Sequence, residues 1–182
     1  MRHFNFMVLA QADDKKPVFK LASSWIIDAG LDNSEMEDGA YLVSIRSLEY
    51  PDYYLRVMNG FTIVLQEFEQ STNYSRDATF IVRKGLVDSN LYSFELLSQP
   101  GYFLRQLNDQ VVAAKKLDTY QYKDDATWFL KPALAKVDFM SVDFNQSAVT
   151  TEAIPDETLF RTTYTNSDNL PLITKYLQPY QG

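Results

Sequence analysis

The sequence predicts an all-β fold in which three copies of one repeat share a core, with the first copy truncated at the N-terminus. Three observations lead to this prediction. Residues 44–134 contain one pattern written twice, a partial copy lies upstream, and neither full copy sustains a helical periodicity. Such a repeat is typical of a unit that cannot bury its apolar face alone and must pack against its copies.

The two full copies are recognised by spaced words that recur in the same order. The first reads SIRSLEYPDYYLRVMNG and later RDATFIVRKGL, and the second reads SFELLSQPGYFLRQLND and later DDATWFLKPAL. Arg56 recurs as Arg105, 49 positions later (105 − 56), and Asp77 recurs as Asp125, 48 positions later (125 − 77). One residue has therefore been lost between the two words of the second copy.

The upstream copy contains only the second half of the pattern. Its residues align in order with residues of the first full copy: Arg2 with Arg56, Asn5 with Asn59, Trp25 with Phe80, and Leu31 with Leu86. Because the first half of the repeat is missing here, we expect the natural chain to begin before Met1.

Short strands separated by turns are predicted throughout the repeats. Strand-favouring side chains fill residues 1–10 and 19–27 of the partial copy. In the first full copy, turn residues such as Asn59-Gly60 and the polar run 69–77 separate the predicted strands. These predicted strands are Leu42–Ser47, Tyr53–Met58, 61–67 and 78–83, and the second full copy repeats their order.

The predicted core consists of the apolar residues that occupy the same places in each repeat. Trp25 and Trp128 stand where the first full copy has Phe80, which favours a structural role for both tryptophans over a surface for ligand binding. The full predicted core is Trp25, Leu31, Leu55, Phe80, Leu86, Leu104, Trp128 and Leu134.

These words carry a resemblance to a known family. An apolar residue followed by Arg, His, any residue and Asn, then about twenty residues later Asp-Ala-Thr-Phe and Gly-Leu, resembles the arabinose-binding module of arabinofuranosidase B. The resemblance implies a β-trefoil over residues 1–144, in which each repeat can hold a pocket for an arabinofuranose side chain. Residues 145–182 are then expected to be an extension or the start of a neighbouring domain.

The same resemblance implies a His and an Asp that hold the sugar within one repeat, and this chain breaks that pair each time. His3 has Ala22 where the Asp is expected, Asp77 has Val57 where the His is expected, and Asp125 has Gln106. The third repeat is the best remaining pocket, because an amide can both donate to and accept from hydroxyls. The predicted ligand contacts are Gln106, Asp125, Asp77 and His3.

A structural role for these residues is the competing interpretation. An Asp at the start of a strand can simply bind local backbone N–H groups, and His3 can be an exposed remnant. Arg56 and Arg105 are predicted to tie strands to carboxylates of their own repeats.

Composition narrows the class of function. A net charge of −7 makes nucleic acid an unsuitable partner, since phosphate binding requires a clustered positive field. Cysteine is absent and the apolar runs are much shorter than the roughly twenty residues of a membrane-spanning helix, so we expect no disulfide, thiolate metal site or membrane insertion. No nucleotide-binding motif is found, and no cofactor is expected.

Catalysis by this chain is not expected either. Glycoside hydrolysis needs two carboxyl groups across the scissile bond, and the sequence isolates no such pair. A single histidine and the absence of a GxSxG motif give little support to a Ser-His-Asp triad.

The resulting hypothesis is a non-catalytic module that binds arabinose-containing polysaccharide or oligosaccharide. Its expected context is a larger secreted or cell-surface protein, such as a glycoside hydrolase with a covalently linked catalytic domain. The alternative is a scaffold or protein-interaction domain that has lost sugar binding.

One further expectation concerns the missing half-repeat. Residues 137–144, VDFMSVDF, resemble the opening words of the full copies and are predicted to fill the slot before Arg2, with Phe139 and Val142 in the core. The alternative is that they form the first strand of a neighbouring domain.

Overall fold

Each full repeat folds into three strands, a six-residue helix and a fourth strand, and the truncated first repeat has only two strands before its helix. A computed structural model describes residues 1–34, 36, 38–135 and 173–180. The elements are β1 (Arg2–Phe4), β2 (Met7–Leu9), α1 (Pro17–Ala22), β3 (Trp25–Ala29), β4 (Leu42–Ser47), β5 (Tyr53–Met58), β6 (Thr62–Glu67), α2 (Thr72–Asp77), β7 (Phe80–Lys84), β8 (Tyr92–Leu96), β9 (Tyr102–Leu107), β10 (Gln110–Lys115), α3 (Tyr120–Asp125), β11 (Trp128–Pro132) and β12 (Ile173–Pro179). In the described part of the chain, no helix is long and apolar enough to cross a membrane.

The prediction of an all-β fold is confirmed, but the prediction of a β-trefoil is wrong. The described strands are antiparallel and join into one continuous sheet, which closes on itself as a barrel with additional strands. One closed path runs from β4 through β5, β6, β10, β9, β8 and β7 and returns to β4. The repeated sequence predicts that the units resemble one another. The closure of the barrel depends on hydrogen bonds between strands of different units, and the repeat pattern does not predict these bonds.

The strand boundaries of the first full copy were predicted well, and the helices were missed. Leu42–Ser47 and Tyr53–Met58 are strands with the predicted bounds. The polar run 69–77 contains α2, where the Ser71 side chain accepts a hydrogen bond from the Tyr74 N–H and caps the helix. The predicted strand 19–27 is wrong in its first half, because Pro17 begins α1 and β3 starts only at Trp25.

The core agrees with the predicted list in its main members. Trp25, Leu55, Phe80, Leu104 and Trp128 are all buried. The two tryptophans are fully enclosed, which confirms their structural role. Trp25 Nε1 donates to the Met1 carbonyl at 3.2 Å, and Trp128 Nε1 donates to the Leu104 carbonyl at 3.1 Å. The other three members of the list, Leu31, Leu86 and Leu134, are only partly buried.

The strand β12 lies next to the truncated first repeat. It pairs with β11 on one side and with β3 on the other, and the Met1 backbone nitrogen donates to the Leu177 carbonyl at 2.6 Å. This strand belongs to the same compact unit as Met1–Ala135. The sequence did not single it out, because it carries none of the repeat words. Residues 137–144, predicted for this role, and the predicted domain boundary at 144 lie outside the described residues.

Buried hydroxyls at one position of each repeat join it to another part of the chain. Thr79 Oγ1 donates to the Ser75 carbonyl at 2.7 Å and accepts from the Asp32 N–H at 3.0 Å. In the third repeat Thr127 Oγ1 makes the same bonds, to the Lys123 carbonyl at 2.7 Å and from the Val87 N–H at 3.2 Å.

Ser24 completes the set in the first repeat. Its Oγ donates to the Lys20 carbonyl at 2.8 Å and accepts from the Ala135 N–H at 2.9 Å. The Thr of the Asp-Ala-Thr sequence is therefore a structural residue. Its hydroxyl donates to a backbone carbonyl of its own repeat and accepts from a backbone N–H outside that repeat.

Replacing Thr127 with Val should reduce the free energy of unfolding by about 1–3 kcal/mol, because a buried N–H loses its hydrogen-bond acceptor. Thr62→Val, at an exposed position of β6, is the control and should change stability by less than about 0.5 kcal/mol. Urea unfolding followed by tryptophan fluorescence measures both. Equal stability of the two variants would contradict this role for Thr127.

Candidate functional site

The arginine of each repeat lies over an aromatic ring of the short helix that follows it. Arg56 lies 4.8 Å from the centroid of Tyr74, and Arg105 lies 5.0 Å from the centroid of Tyr122. The first repeat keeps this contact between Arg2 and its own helix. Guanidinium groups over aromatic faces are fixed by electrostatic attraction to the ring. The three arginines are thus positioned alike, and the repeats differ at the residue that ends each helix, which is Ala22, Asp77 or Asp125.

In the second repeat the carboxylate is loosely held and open. Arg56 Nη2 lies 3.3 Å from Asp77 Oδ2, and the Asp77 side chain is 28% exposed. Arg56 Nη1 donates to Gln66 Oε1 at 3.1 Å. Within the described ranges, the buried Arg56 Nε and Ser98 Oγ atoms have no hydrogen-bond partner. Both residues line one cleft with Asp77.

This Asp77 cleft has a volume of about 460 Å³ and is lined by Arg56, Asn73, Arg76, Asp77 and Ser98. It therefore combines two cations, a carboxylate, an amide and a hydroxyl. A carboxylate accepts from two neighbouring hydroxyls, while guanidinium and amide groups donate to hydroxyl oxygens. The arrangement suits a small neutral ligand with several hydroxyl groups.

In the third repeat the corresponding carboxylate is engaged on both oxygens. Arg105 Nε and Nη2 donate to Asp125 Oδ2 at 3.1 and 2.7 Å, and Gln121 Nε2 donates to Oδ1 at 2.8 Å. The Asp125 side chain is only 9% exposed. The predicted tie between Arg105 and a carboxylate of its own repeat is confirmed, as is the same tie between Arg56 and Asp77. Ligand binding by Asp125 stays a prediction.

Gln106 lies in another cleft, the Gln106 cleft, of about 560 Å³. Phe103 and Arg105 both contact Tyr122, and side chains alternate along a strand, so Gln106 projects from the opposite face of β9. The residues that line this cleft with Gln106 include Gln11, Asp13, Asp109, Lys131 and Gln178. The structure thus directs Gln106 and Asp125 to different surroundings.

His3 is buried, contrary to the alternative of an exposed remnant. Its Nε2 lies 3.2 Å from Glu49 Oε2 and 3.3 Å from Ser47 Oγ, and its ring packs against Trp25 and Tyr50. Burial, and to a lesser extent the neighbouring Arg2 guanidinium, lower the pKa of His3 to about 4. A neutral imidazole with its proton on Nε2 can donate to Glu49.

His3 should make folding stability depend on pH between about 6.5 and 4. The unfolded chain binds a proton at His3 below its ordinary pKa near 6.5, whereas the folded protein does not until about pH 4, so stability falls as pH falls through this window. The loss reaches about 2–3 kcal/mol at the lower end. Urea unfolding of the parent and of His3→Gln at pH 7 and pH 4.5 measures it. The variant should lose less stability than the parent, and equal losses would contradict burial of a neutral His3.

One cluster near His3 was not predicted from the sequence. The rings of Phe6, Tyr50 and Tyr53 are in mutual contact, with centroid separations of 5.5–6.0 Å. Phe6 occupies the turn position that Gly60 holds after Asn59, and this substitution of Phe for Gly in an Asn-Gly turn was the available signal.

Comparison with known proteins identifies the family. The model of the alpha-L-arabinofuranosidase B (ABFB) domain matches residues 1–82 and 43–150, and the chain belongs to this family. The resemblance drawn from the repeat words is thereby confirmed.

Similar proteins differ in name and are much longer than this chain. A human otogelin-like protein is 28% identical over 142 residues, covering 78% of this chain and 6% of the relative. A probable alpha-L-arabinofuranosidase B of Aspergillus clavatus is 40% identical over 58 residues, covering 32% of this chain and 12% of the relative. The chain therefore spans about a tenth of these relatives or less.

A solved structure shares the fold. An arabinofuranosidase complexed with arabinofuranosyl-alpha-1,2-xylobiose matches with a TM-score of 0.64 at 24% identity, covering 74% of this chain and 28% of that one. At this identity the match establishes the fold alone.

Proposed function

We propose that this chain is a non-catalytic carbohydrate-binding domain that recognises arabinofuranosyl side chains of plant polysaccharides. The observation that supports this most is the open Asp77 cleft, where a carboxylate, two arginines, an amide and a hydroxyl meet. Two buried polar atoms of its lining residues, Arg56 Nε and Ser98 Oγ, have no hydrogen-bond partner within the described part of the chain. Family membership supports the choice of sugar.

The chemistry of the Asp77 cleft suits a furanose. Asp77 can accept hydrogen bonds from two adjacent hydroxyls of the sugar, and the Arg56 Nε and Ser98 Oγ atoms can satisfy others. A bound sugar would pair polar groups that otherwise remain buried and unsatisfied, which favours binding. Charge-assisted bonds give orientation and specificity to such sites.

The Gln106 cleft is proposed as a second binding position. Gln106 and Gln178 each offer an amide that can donate and accept, and Pro132 and Pro179 contribute apolar surface. Amides beside apolar side chains match a sugar, which alternates hydroxyls with C–H faces. Asp125 and His3 line neither cleft, and in this proposal they hold Arg105 and Glu49 as part of the structure.

The proposed domain works as part of a larger protein. We propose a secreted or cell-surface parent, with a linked glycoside hydrolase domain that benefits from being held on its polysaccharide. The matches to this chain cover only 6% and 12% of the two relatives, which supports a role as one domain of a larger protein.

The chain by itself should release no arabinose from arabinoxylan or from an aryl arabinofuranoside. Asp77 and Asp125 are each ion-paired with an arginine of their own repeat, whereas hydrolysis needs two carboxyl groups that flank one bond. Sugar release by the purified chain is measured by chromatography. Activity that persists through repurification and is lost in a carboxylate variant would contradict the proposal.

A second candidate function is a protein-interaction domain that has lost sugar binding. The observation that favours it is the sealing of two of the family's sugar positions, since Asp125 is engaged on both oxygens and His3 is buried. This alternative predicts no affinity for any arabinose-containing glycan.

Asp77→Ala should weaken binding of arabino-oligosaccharides about tenfold to a hundredfold, because a charged hydrogen bond to a ligand contributes about 1.5–3 kcal/mol. Asn73→Gln is a sharper variant. In the third repeat the equivalent residue is Gln121, whose amide donates to the Asp125 carboxylate. A glutamine at position 73 should reach Asp77 in the same way, compete with the ligand for the carboxylate and weaken binding.

Gln121→Asn is the matched control, because it changes the same position in the third repeat and should leave the affinity of the Asp77 cleft unchanged. Isothermal titration calorimetry measures all four proteins. Unchanged affinity in Asp77→Ala would place the site elsewhere, and no binding by the parent chain would favour the interaction domain.

A further inference from the structure

The three rings of Phe6, Tyr50 and Tyr53, named here the aromatic surface, lie outside the Asp77 and Gln106 clefts. Phe6 and Tyr53 are stacked, with centroids 5.5 Å apart and planes at 20°. Tyr50 is tilted against both rings and also contacts His3 at 5.5 Å. Phe6 is 48% exposed and Tyr50 is 40% exposed, so solvent reaches the cluster.

The backbone of Phe6 is in an unfavourable conformation. Its φ is +61°, in the left-handed region where a bulky side chain is an outlier. The corresponding turn positions hold Gly60 and Asp109, which tolerate this region better. Strained residues persist where the surrounding structure holds them, and they cluster at ligand-binding and active sites. Since the Phe6 ring is half exposed, burial in the core does not account for its presence.

Polar groups stand at the edge of the aromatic surface. The Tyr53 hydroxyl donates to Glu67 Oε2 at 3.4 Å, and Glu49 pairs with His3, whose ring contacts Tyr50. Apolar ring faces bordered by hydroxyl and carboxylate groups match the two sides of a pyranose. Its axial C–H face packs on an aromatic ring, and its equatorial hydroxyls need hydrogen-bond partners at the rim.

We propose that the aromatic surface binds pyranose residues of the polysaccharide main chain, separately from the arabinofuranosyl side chain in the Asp77 cleft. This inference rests on the proposed function. A main-chain surface supplies affinity that a single small side-chain pocket lacks, because two linked contacts on one ligand reinforce each other. Binding then extends to unbranched stretches of the polysaccharide.

The variant Phe6→Gly tests this inference and separates binding from stability. Glycine adopts φ near +60° without steric cost, and the bond from the Leu65 N–H to the Phe6 carbonyl is a backbone contact that glycine preserves. Relief of the strain offsets the loss of the Phe6 ring contacts, so the melting temperature should stay close to that of the parent. Affinity for xylohexaose, an unbranched pyranose chain, should fall at least tenfold.

Two controls complete the experiment. Phe61→Ala removes an exposed phenylalanine, 62% exposed, from the turn between β5 and β6, and should leave xylohexaose affinity unchanged. Asp77→Ala should retain xylohexaose binding while binding arabino-oligosaccharides more weakly. Titration calorimetry with both ligands distinguishes the two proposals.

The xylohexaose titrations decide whether the aromatic surface is a main-chain site. No xylohexaose binding by the parent chain, or equal binding by the parent and Phe6→Gly, overturns the aromatic surface as a main-chain site, whatever the arabino-oligosaccharide result. Loss of xylohexaose affinity in Phe6→Gly with a melting temperature close to that of the parent supports it. Loss of xylohexaose affinity in Phe61→Ala as well would mean a nonspecific apolar contact and would also overturn it.

Discussion

The structure depends on pairing backbone groups where one repeat meets another segment of the sheet. Short strands and six-residue helices leave N–H and C=O groups without partners at their ends, and such groups are costly to bury. Hydroxyls of Ser24, Thr79 and Thr127 meet this need, each accepting from a distant N–H and donating to a carbonyl of its own helix. Ser44 and Ser93 add a second set by donating to the carbonyls of Ala78 and Ala126.

This division of labour explains which parts of the repeat can vary. The hydroxyl position is fixed by the sheet, and the arginine is held over a helix ring in all three repeats. The residue that ends each helix does not join the repeat to the sheet in this way. It is Ala22 in the first repeat and Asp in the other two. The site can therefore change from one repeat to the next while the fold stays the same.

Much of this was accessible from the sequence, because repeated words reveal both equivalent core positions and strand boundaries. Trp25 and Trp128 were correctly placed through their alignment with Phe80. The helices escaped detection because six residues are fewer than two turns, too short for a helical period to appear. The closed barrel and β12 escaped because hydrogen bonds between distant strands leave no mark in the repeat pattern. The burial of His3 depends on Ser47 and Glu49, which are far from it in the chain.

The Asp77 cleft is open because the Asn73 side chain is shorter than that of Gln121, its equivalent in the third repeat. Gln121 stands four residues before Asp125 on α3, and its amide reaches the carboxylate oxygen that Arg105 leaves free. Asn73 holds the same position on α2 relative to Asp77, but its side chain is one methylene shorter, and it lines the cleft. The free oxygen of Asp77 is thus left to solvent or ligand, whereas that of Asp125 is satisfied internally. Two repeats with the same Arg and Asp therefore differ, since one leaves a carboxylate oxygen available and the other holds both oxygens in a structural ion pair.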